Sequence, residues 1–140
     1  MRNKLIIVVG LTLLVQIVLA QNYDITVQIT GFESKLGNCF VILFDDSKPF
    51  DVQNKGIMQV KKAITKDKTC TVIFKHLPRG NYAIIAFHDK SNDGVLNTNL
   101  LGLPKEGVGN SNNHKGKPSF NRSKFILQGN KLVKIEIKYP

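Results

Sequence analysis

Tyr23, Ile25, Val27 and Ile29 alternate with Asp24, Thr26, Gln28 and Thr30. A strict period of two, one side apolar and one polar, predicts a half-buried β-strand. The same pattern returns at the end of the chain, where Val133, Ile135, Ile137 and Tyr139 alternate with Lys134, Glu136 and Lys138. Between these two the pattern changes. Residues 39–44 and 81–88 are short continuous apolar runs rich in β-formers, the signature of central strands, and 81–88 is expected to be buried on both faces. Residues 57–65 and 70–75 read as two further strands, and the chain re-enters the fold at 123–127. Turn residues punctuate the series. His76-Leu77-Pro78-Arg79-Gly80 reads as a tight connection with Gly80 as its permissive residue, and Gln128-Gly129-Asn130 as a hairpin turn. Residues 45–56 read as a polar loop with one helical turn after Ser47. The sum is about seven short strands and no long helix, an all-β pattern that favours an antiparallel β-sandwich.

One segment does not fit the series. Residues 89–121 have no periodicity and are crowded with Gly, Asn, Ser, Asp and Pro. Loops of that length in a compact domain are functional or disordered. Val95, Leu96, Leu100, Leu101, Leu103, Val108 and Phe120 supply apolar anchors, so this loop is expected to be ordered and to carry whatever activity the chain has.

Its start, Asp89-Lys90-Ser91-Asn92-Asp93-Gly94-Val95-Leu96-Asn97, has the spacing of a calcium loop with Ser at the third position. A hard cation takes six to eight oxygens, and alternate residues of a tight loop turn theirs inward. Asp89, Ser91, Asp93, the Val95 carbonyl and Asn97 are the candidate calcium ligands, with Glu106 completing the set if the chain folds back. An EF-hand is excluded, because Leu100 stands where a bidentate Glu is required and no helices flank the loop. Asx side chains capping their own turn explain the same residues without a metal. The glycines of 102–109 allow close backbone approach. Gly109-Asn110-Ser111-Asn112-Asn113 lacks the second Gly of a nucleophile elbow. His76, His88 and His114 have no zinc-selecting spacing. A hydrolase-like site using His88, Asp89 and Glu106 is the enzymatic alternative.

Composition adds a compartment. Arg2 and Lys4 precede the apolar run 5–19, and Val18-Leu19-Ala20 ends it with small or aliphatic residues, the form of a cleavable signal peptide over residues 1–20. Fifteen residues at 1.5 Å each span roughly 22 Å, short of a ~30 Å hydrocarbon core. Residues 21–140 would then form one domain, exported to the periplasm or beyond, with no later transmembrane segment. Without Arg2 and Lys4, 18 basic residues face 10 acidic ones, a net charge of +8. That balance favours acidic partners, although the lysines are scattered, and export disfavours nucleic acid. Each of the two cysteines, Cys39 and Cys70, opens a predicted strand. They would lie at the same end of the domain and meet across a sandwich, where a disulfide and two buried thiols both satisfy the sequence.

The blocks Leu77-Pro78-Arg79-Gly80-Asn81-Tyr82-Ala83, His88-Asp89, Asn92-Asp93-Gly94-Val95-Leu96-Asn97-Thr98-Asn99 and Gly102-Leu103-Pro104-Lys105-Glu106-Gly107 through Ser111-Asn112 resemble the bacterial domain-of-unknown-function family two-one-four-one. Its pattern is LPxGxYA, HDxNxNGxLDTN and GxPxEGxGxSN. The resemblance implies a small exported protein with a prealbumin-like or carboxypeptidase-regulatory-like sandwich, and it implies no established activity. The chain departs from the pattern at Ser91, followed by Asn92, and at Asn97, where the pattern has Asn and Asp; both changes weaken an inherited metal site. The expected role is a non-enzymatic binding or accessory module of the cell envelope, with an envelope protein or glycan as partner, a calcium-ordered loop, and His88, Asp89, Asn99, Glu106, Ser111 and Asn112 as its ligand-binding residues. A purely structural domain is the third alternative.

Overall fold

A computed structural model describes residues 20–140 of the chain, so the expected signal segment lies, but for its last residue, outside the described residues. Eight strands form: β1 (Asn22–Thr30), β2 (Asn38–Phe44), β3 (Met58–Ala63), β4 (Cys70–Pro78), β5 (Gly80–Asp89), β6 (Val108–Asn110), β7 (Phe125–Leu127) and β8 (Lys131–Glu136), with a single helical turn, α1 (Phe120–Ser123), before β7. They make two sheets. One has the order β4-β1-β8; the other runs β3-β2-β5-β6, with β7 also pairing β5.

Alternation explains the division. In β1, β4 and β8 the inward positions Ile25, Val27, Ile29, Val72, Phe74, Val133 and Ile135 enter the core between the sheets, and the intervening residues face solvent. Strands β2 and β5 have no polar face because both of their faces are covered. Cys39, Val41, Leu43, Ile84 and Ala86 point into the inter-sheet core. Phe40, Ile42, Phe44, Ile85 and Phe87 point the other way and form a second apolar cluster with Leu96 of the long loop. Phe50, Val52, Val108 and Phe120 pack against that cluster from outside. Each such buried side chain contributes about 1.5–3 kcal/mol, so the long loop is held down by the aromatic outer face of β2 and β5.

Four expectations change. The eighth strand, β6, lies inside the long loop and is only three residues long, too short to show a period. The sandwich is not wholly antiparallel: β8 runs parallel to β1, from Ile25 opposite Lys131 to Thr30 opposite Glu136. Alternation encodes which face is buried and says nothing of strand direction, so this was not readable. The corner at residues 76–80 is tighter than expected, because β4 continues through Pro78 and only Arg79 separates it from β5 in the other sheet. The left-handed residue there is His76 (φ 58), not Gly80. His76 lies where the β1–β4 register shifts, and its N–H donates to Asp24 Oδ1 at 3.0 Å. Nor does a helical turn follow Ser47. Ser47 and Gln53 donate their N–H groups to Asp45 Oδ1 and Asp51 Oδ1, each at 3.0 Å, and these Asx turns replace it.

Cys39 and Cys70 open strands of opposite sheets, are both buried, and are free thiols. They meet across the sandwich. The hydrogen bond with Cys70, reinforced by burial, holds the Cys39 thiol well above the ordinary range.

Candidate functional site

Successive strand residues point to opposite faces, and this separates the two residues at the end of β5. His88 shares the parity of Ile84 and Ala86 and enters the inter-sheet side; Asp89 shares that of Ile85 and Phe87 and lies under the long loop. Both are fully buried. Nε2 of His88 lies 2.6 Å from the Leu36 carbonyl, which can only accept, so the proton resides there. Nδ1 then accepts from the Tyr139 hydroxyl at 2.6 Å. Burial raises the Tyr139 hydroxyl above its ordinary range, which keeps it a donor. Phe32 closes the ring edge-on at 5.3 Å. Both ring nitrogens are therefore occupied, on the opposite face from Asp89.

Asp89 holds the beginning of the loop. Its Oδ1 accepts the Asp93 N–H at 3.1 Å and its Oδ2 the Gly94 N–H at 2.9 Å, while the Ser91 hydroxyl lies 3.3 Å from Oδ1. Gly94 has φ +77, which a side chain would strain. Glu106, also buried, ties the loop's return: Oε1 accepts the Lys90 N–H at 2.9 Å and Oε2 the Asn97 N–H at 3.1 Å. It can fold back because Gly107 has no side chain. A Cβ there would lie 2.4 Å from Ile137 Cγ2 and 2.6 Å from the Tyr139 ring.

Of the candidate calcium ligands, Ser91, Asp93, the Val95 carbonyl and Glu106 lie around the Asn97 side chain. The Asn97 side-chain Nδ2 lies 3.1 Å from Ser91 Oγ, 3.4 Å from Asp93 Oδ2, 3.4 Å from Glu106 Oε2 and 3.5 Å from the Val95 carbonyl. Asp89 is engaged by backbone N–H groups instead. The Val95 N–H, ahead of the Ser91 and Asn97 side chains, holds the exposed Asp93 carboxyl below its ordinary range. Among the described residues no group of three or more His, Cys, Asp or Glu is placed to hold a metal ion; the converging set here is carboxylate, hydroxyl, carbonyl and amide.

The remaining ligand-loop candidates also bond to the protein. Ser111 Oγ donates to the Ser123 carbonyl at 2.5 Å and accepts the Ile84 N–H at 3.1 Å. Asn112 Nδ2 reaches the Arg122 and Lys124 carbonyls at 2.8 and 3.1 Å, beside α1. Asn99 Oδ1 accepts from the Leu101 and Leu103 N–H groups at 2.9 and 3.0 Å, shaping the loop's tip. Asp89, Asn99, Glu106, Ser111 and Asn112 brace the loop and its return, His88 braces the inter-sheet side, and none of the six lines the cleft beside the loop.

That cleft encloses about 910 Å³. Phe50 and Val52, from the β2–β3 connection, face Leu96, Leu103 and Pro104 of the long loop, with Val108 of β6 between them. The segment after β6, with His114, Lys115, Lys117 and Pro118, completes the lining together with Lys138. Asp51 and Glu136 are its acidic members, and Glu136 is engaged by Lys138 at 3.4 Å. The cleft thus joins apolar side chains to several cations. Leu96, Leu103 and Val108 are legible in the sequence as anchors of the long loop, whereas Phe50, Val52, Lys115, Lys117 and Lys138 share no motif that joins them to it.

The chain matches the family model described as "Uncharacterized protein conserved in bacteria (DUF2141)" over residues 27–136. It belongs to this family. Comparison with curated proteins and with solved structures finds no match. The DUF2141 match begins inside β1 and ends on the last residue of β8, so it takes in both sheets, the Asp89 and Glu106 braces and most of the cleft. Asn97 is the residue whose amide stands among the converging oxygens.

Proposed function

We propose that this DUF2141 chain is a non-enzymatic binding module of the bacterial cell envelope, prealbumin-like in architecture, that holds a ligand with an apolar body and a negatively charged end. The cleft carries this reading: its lining joins the apolar Phe50, Leu96 and Val108 to the cations Lys115, Lys117 and Lys138. Sites for small ligands combine a mostly apolar lining with a few placed polar groups. The buried polar residues speak for the same role. His88, Asp89, Glu106 and Ser111 all spend their hydrogen bonds on the protein itself, so they serve as a scaffold beneath a surface rather than as acid, base or nucleophile. The export part of the reading rests on residues 1–20, and recovery from an exporting cell of protein beginning at Gln21 tests it.

The cleft is tested with anilinonaphthalene sulfonate, an anionic aromatic amphiphile, as the probe. Saturable fluorescence enhancement by the folded protein is expected, weakened about tenfold or more by Leu103→Glu combined with Lys115→Glu. Equal enhancement by the double variant, or none by the wild type, overturns the cleft as the binding surface.

The converging oxygens support a second statement about the same loop. We propose that the Asn97 amide occupies the point where calcium would stand in a relative with Asp at that position, so that here a neutral donor braces the loop.

A further inference from the structure

Leu100 and Leu101 are the most exposed large apolar residues among those described, at 106% and 84% of their full accessibility. They are not there through slackness of the chain. Asn99 and Leu103 close the turn with N–H to O bonding at 2.8 Å, Gly102 donates to the Asn99 carbonyl at 2.9 Å, and Asn99 Oδ1 takes the Leu101 and Leu103 N–H groups. Thr98 and Pro104 bridge below it, and the Lys105 N–H donates to the Asn97 carbonyl at 2.8 Å. Two leucines are thus held outward at the apex of a braced turn, with no way to fold back onto the protein without breaking these bonds. Lys105 follows at the foot of the turn, and Lys117 lines the same cleft as Gly102 and Leu103. Both are exposed and have no ion pair among the described residues. The domain behind them carries a net charge of +8 over residues 21–140, 18 basic against 10 acidic.

We infer that the Leu100–Leu101 tip inserts into the interface of an anionic lipid bilayer, with Lys105 and Lys117 over the headgroups. Aliphatic side chains enter the headgroup–acyl boundary, and nearby lysines are drawn to anionic lipid. A second copy of the chain is the poorer occupant. Two leucines fall far short of the roughly 800 Å² per partner that a stable interface buries, and a two-fold contact would oppose the same lysines to each other. The inference shares the envelope address proposed above and one cleft residue, Lys117, but its tip stands apart, because neither Leu100 nor Leu101 lines the cleft.

The chain has no tryptophan, so Leu101→Trp places a single reporter at the apex. The probes are vesicles of equimolar phosphatidylglycerol and phosphatidylcholine, and vesicles of phosphatidylcholine alone. The expected result is a blue shift of the Trp emission on the anionic vesicles. Co-sedimentation with them should fall on the order of tenfold or more for Leu100→Asp combined with Leu101→Asp, and several-fold for Lys105→Gln combined with Lys117→Gln. All proteins carry the same N-terminus, so the differences report the tip. Unshifted emission, or undiminished sedimentation of the leucine variant, overturns the inference, as does concentration-dependent self-association that the leucine variant abolishes while vesicles leave the emission unshifted. Because the leucine variant leaves the cleft intact, its unaltered probe fluorescence separates failure of the tip from failure of the cleft.

Discussion

The Tyr139 hydroxyl donates to Nδ1 of His88 across 2.6 Å and 51 positions of sequence. The bond ties the chain's last residues to the end of the central strand β5, inside a shell made by Phe32 and Leu36. A buried ring nitrogen stripped of its partner costs about 1–3 kcal/mol. Tyr139→Phe is therefore expected to lower the unfolding free energy measured in urea by that amount, with a matching fall in midpoint. His88→Leu should cost more, since it strands both the Leu36 carbonyl and the Tyr139 hydroxyl. Midpoints equal to wild type in both variants would show that the bond does not hold the fold.

Glu106 is the link between the two halves of the long loop. In Glu106→Ala the Lys90 and Asn97 N–H groups lose their acceptors, about 1–3 kcal/mol for a buried donor left unmade. The loss is local. Amide exchange over residues 90–105 should accelerate while β1 and β8 keep their protection. Uniform acceleration across both sheets would mean that Glu106 serves the whole sandwich instead.

Calcium titration decides what stands at the centre of the loop. With the Asn97 amide there, millimolar calcium should neither release heat from the wild-type protein nor move its Tm. Asn97→Asp replaces the amide donor with a carboxylate facing Asp93 and Glu106, so it should lower Tm in a chelator and recover it with calcium. Weak sites of this kind bind at about 10⁻⁴–10⁻³ M. A calcium-dependent rise in the wild-type Tm would place the ion, not the amide, at that point.

Cys39 and Cys70 already face each other between the sheets. In an oxidising compartment, exchange with an oxidised thiol partner during folding would join them, each bond releasing two thiols from the donor. Protein recovered from such a compartment is then expected to be 2 mass units lighter than the reduced chain, two hydrogens having been lost. It should resist alkylation even when unfolded without reductant. Closing a loop of about thirty residues stabilises by about 3–4 kcal/mol in the chain-entropy account, so reduction should lower the denaturation midpoint. Alkylation of both thiols on unfolding, without reductant, would leave them as a buried free pair.

The strands were legible wherever burial repeats along the chain. Ile25, Val27 and Ile29 announce a one-sided strand, and the unbroken run at residues 39–44 announces one covered on both sides. The nearness of Ser91, Asp93 and Asn97 was legible in their spacing, but not that Asn97 would present its nitrogen to the other two. What the sequence withheld depends on partners distant along the chain. That Asp89 would be taken up by the N–H groups of Asp93 and Gly94 is a matter of loop path. That Phe50 and Lys115 would share a cleft depends on two connections meeting over the outer face of β5. The parallel entry of β8 beside β1 is likewise a matter of topology.

Strand β1 has β4 on one side and β8 on the other. The first strand to emerge during synthesis is therefore completed by the last, and its sheet cannot close until Glu136 has arrived opposite Thr30. Pairings of such long range assemble slowly compared with local ones. Until β8 is made, β1 keeps one edge unpaired, so the closing of this sheet is a late event that waits on the far end of the domain.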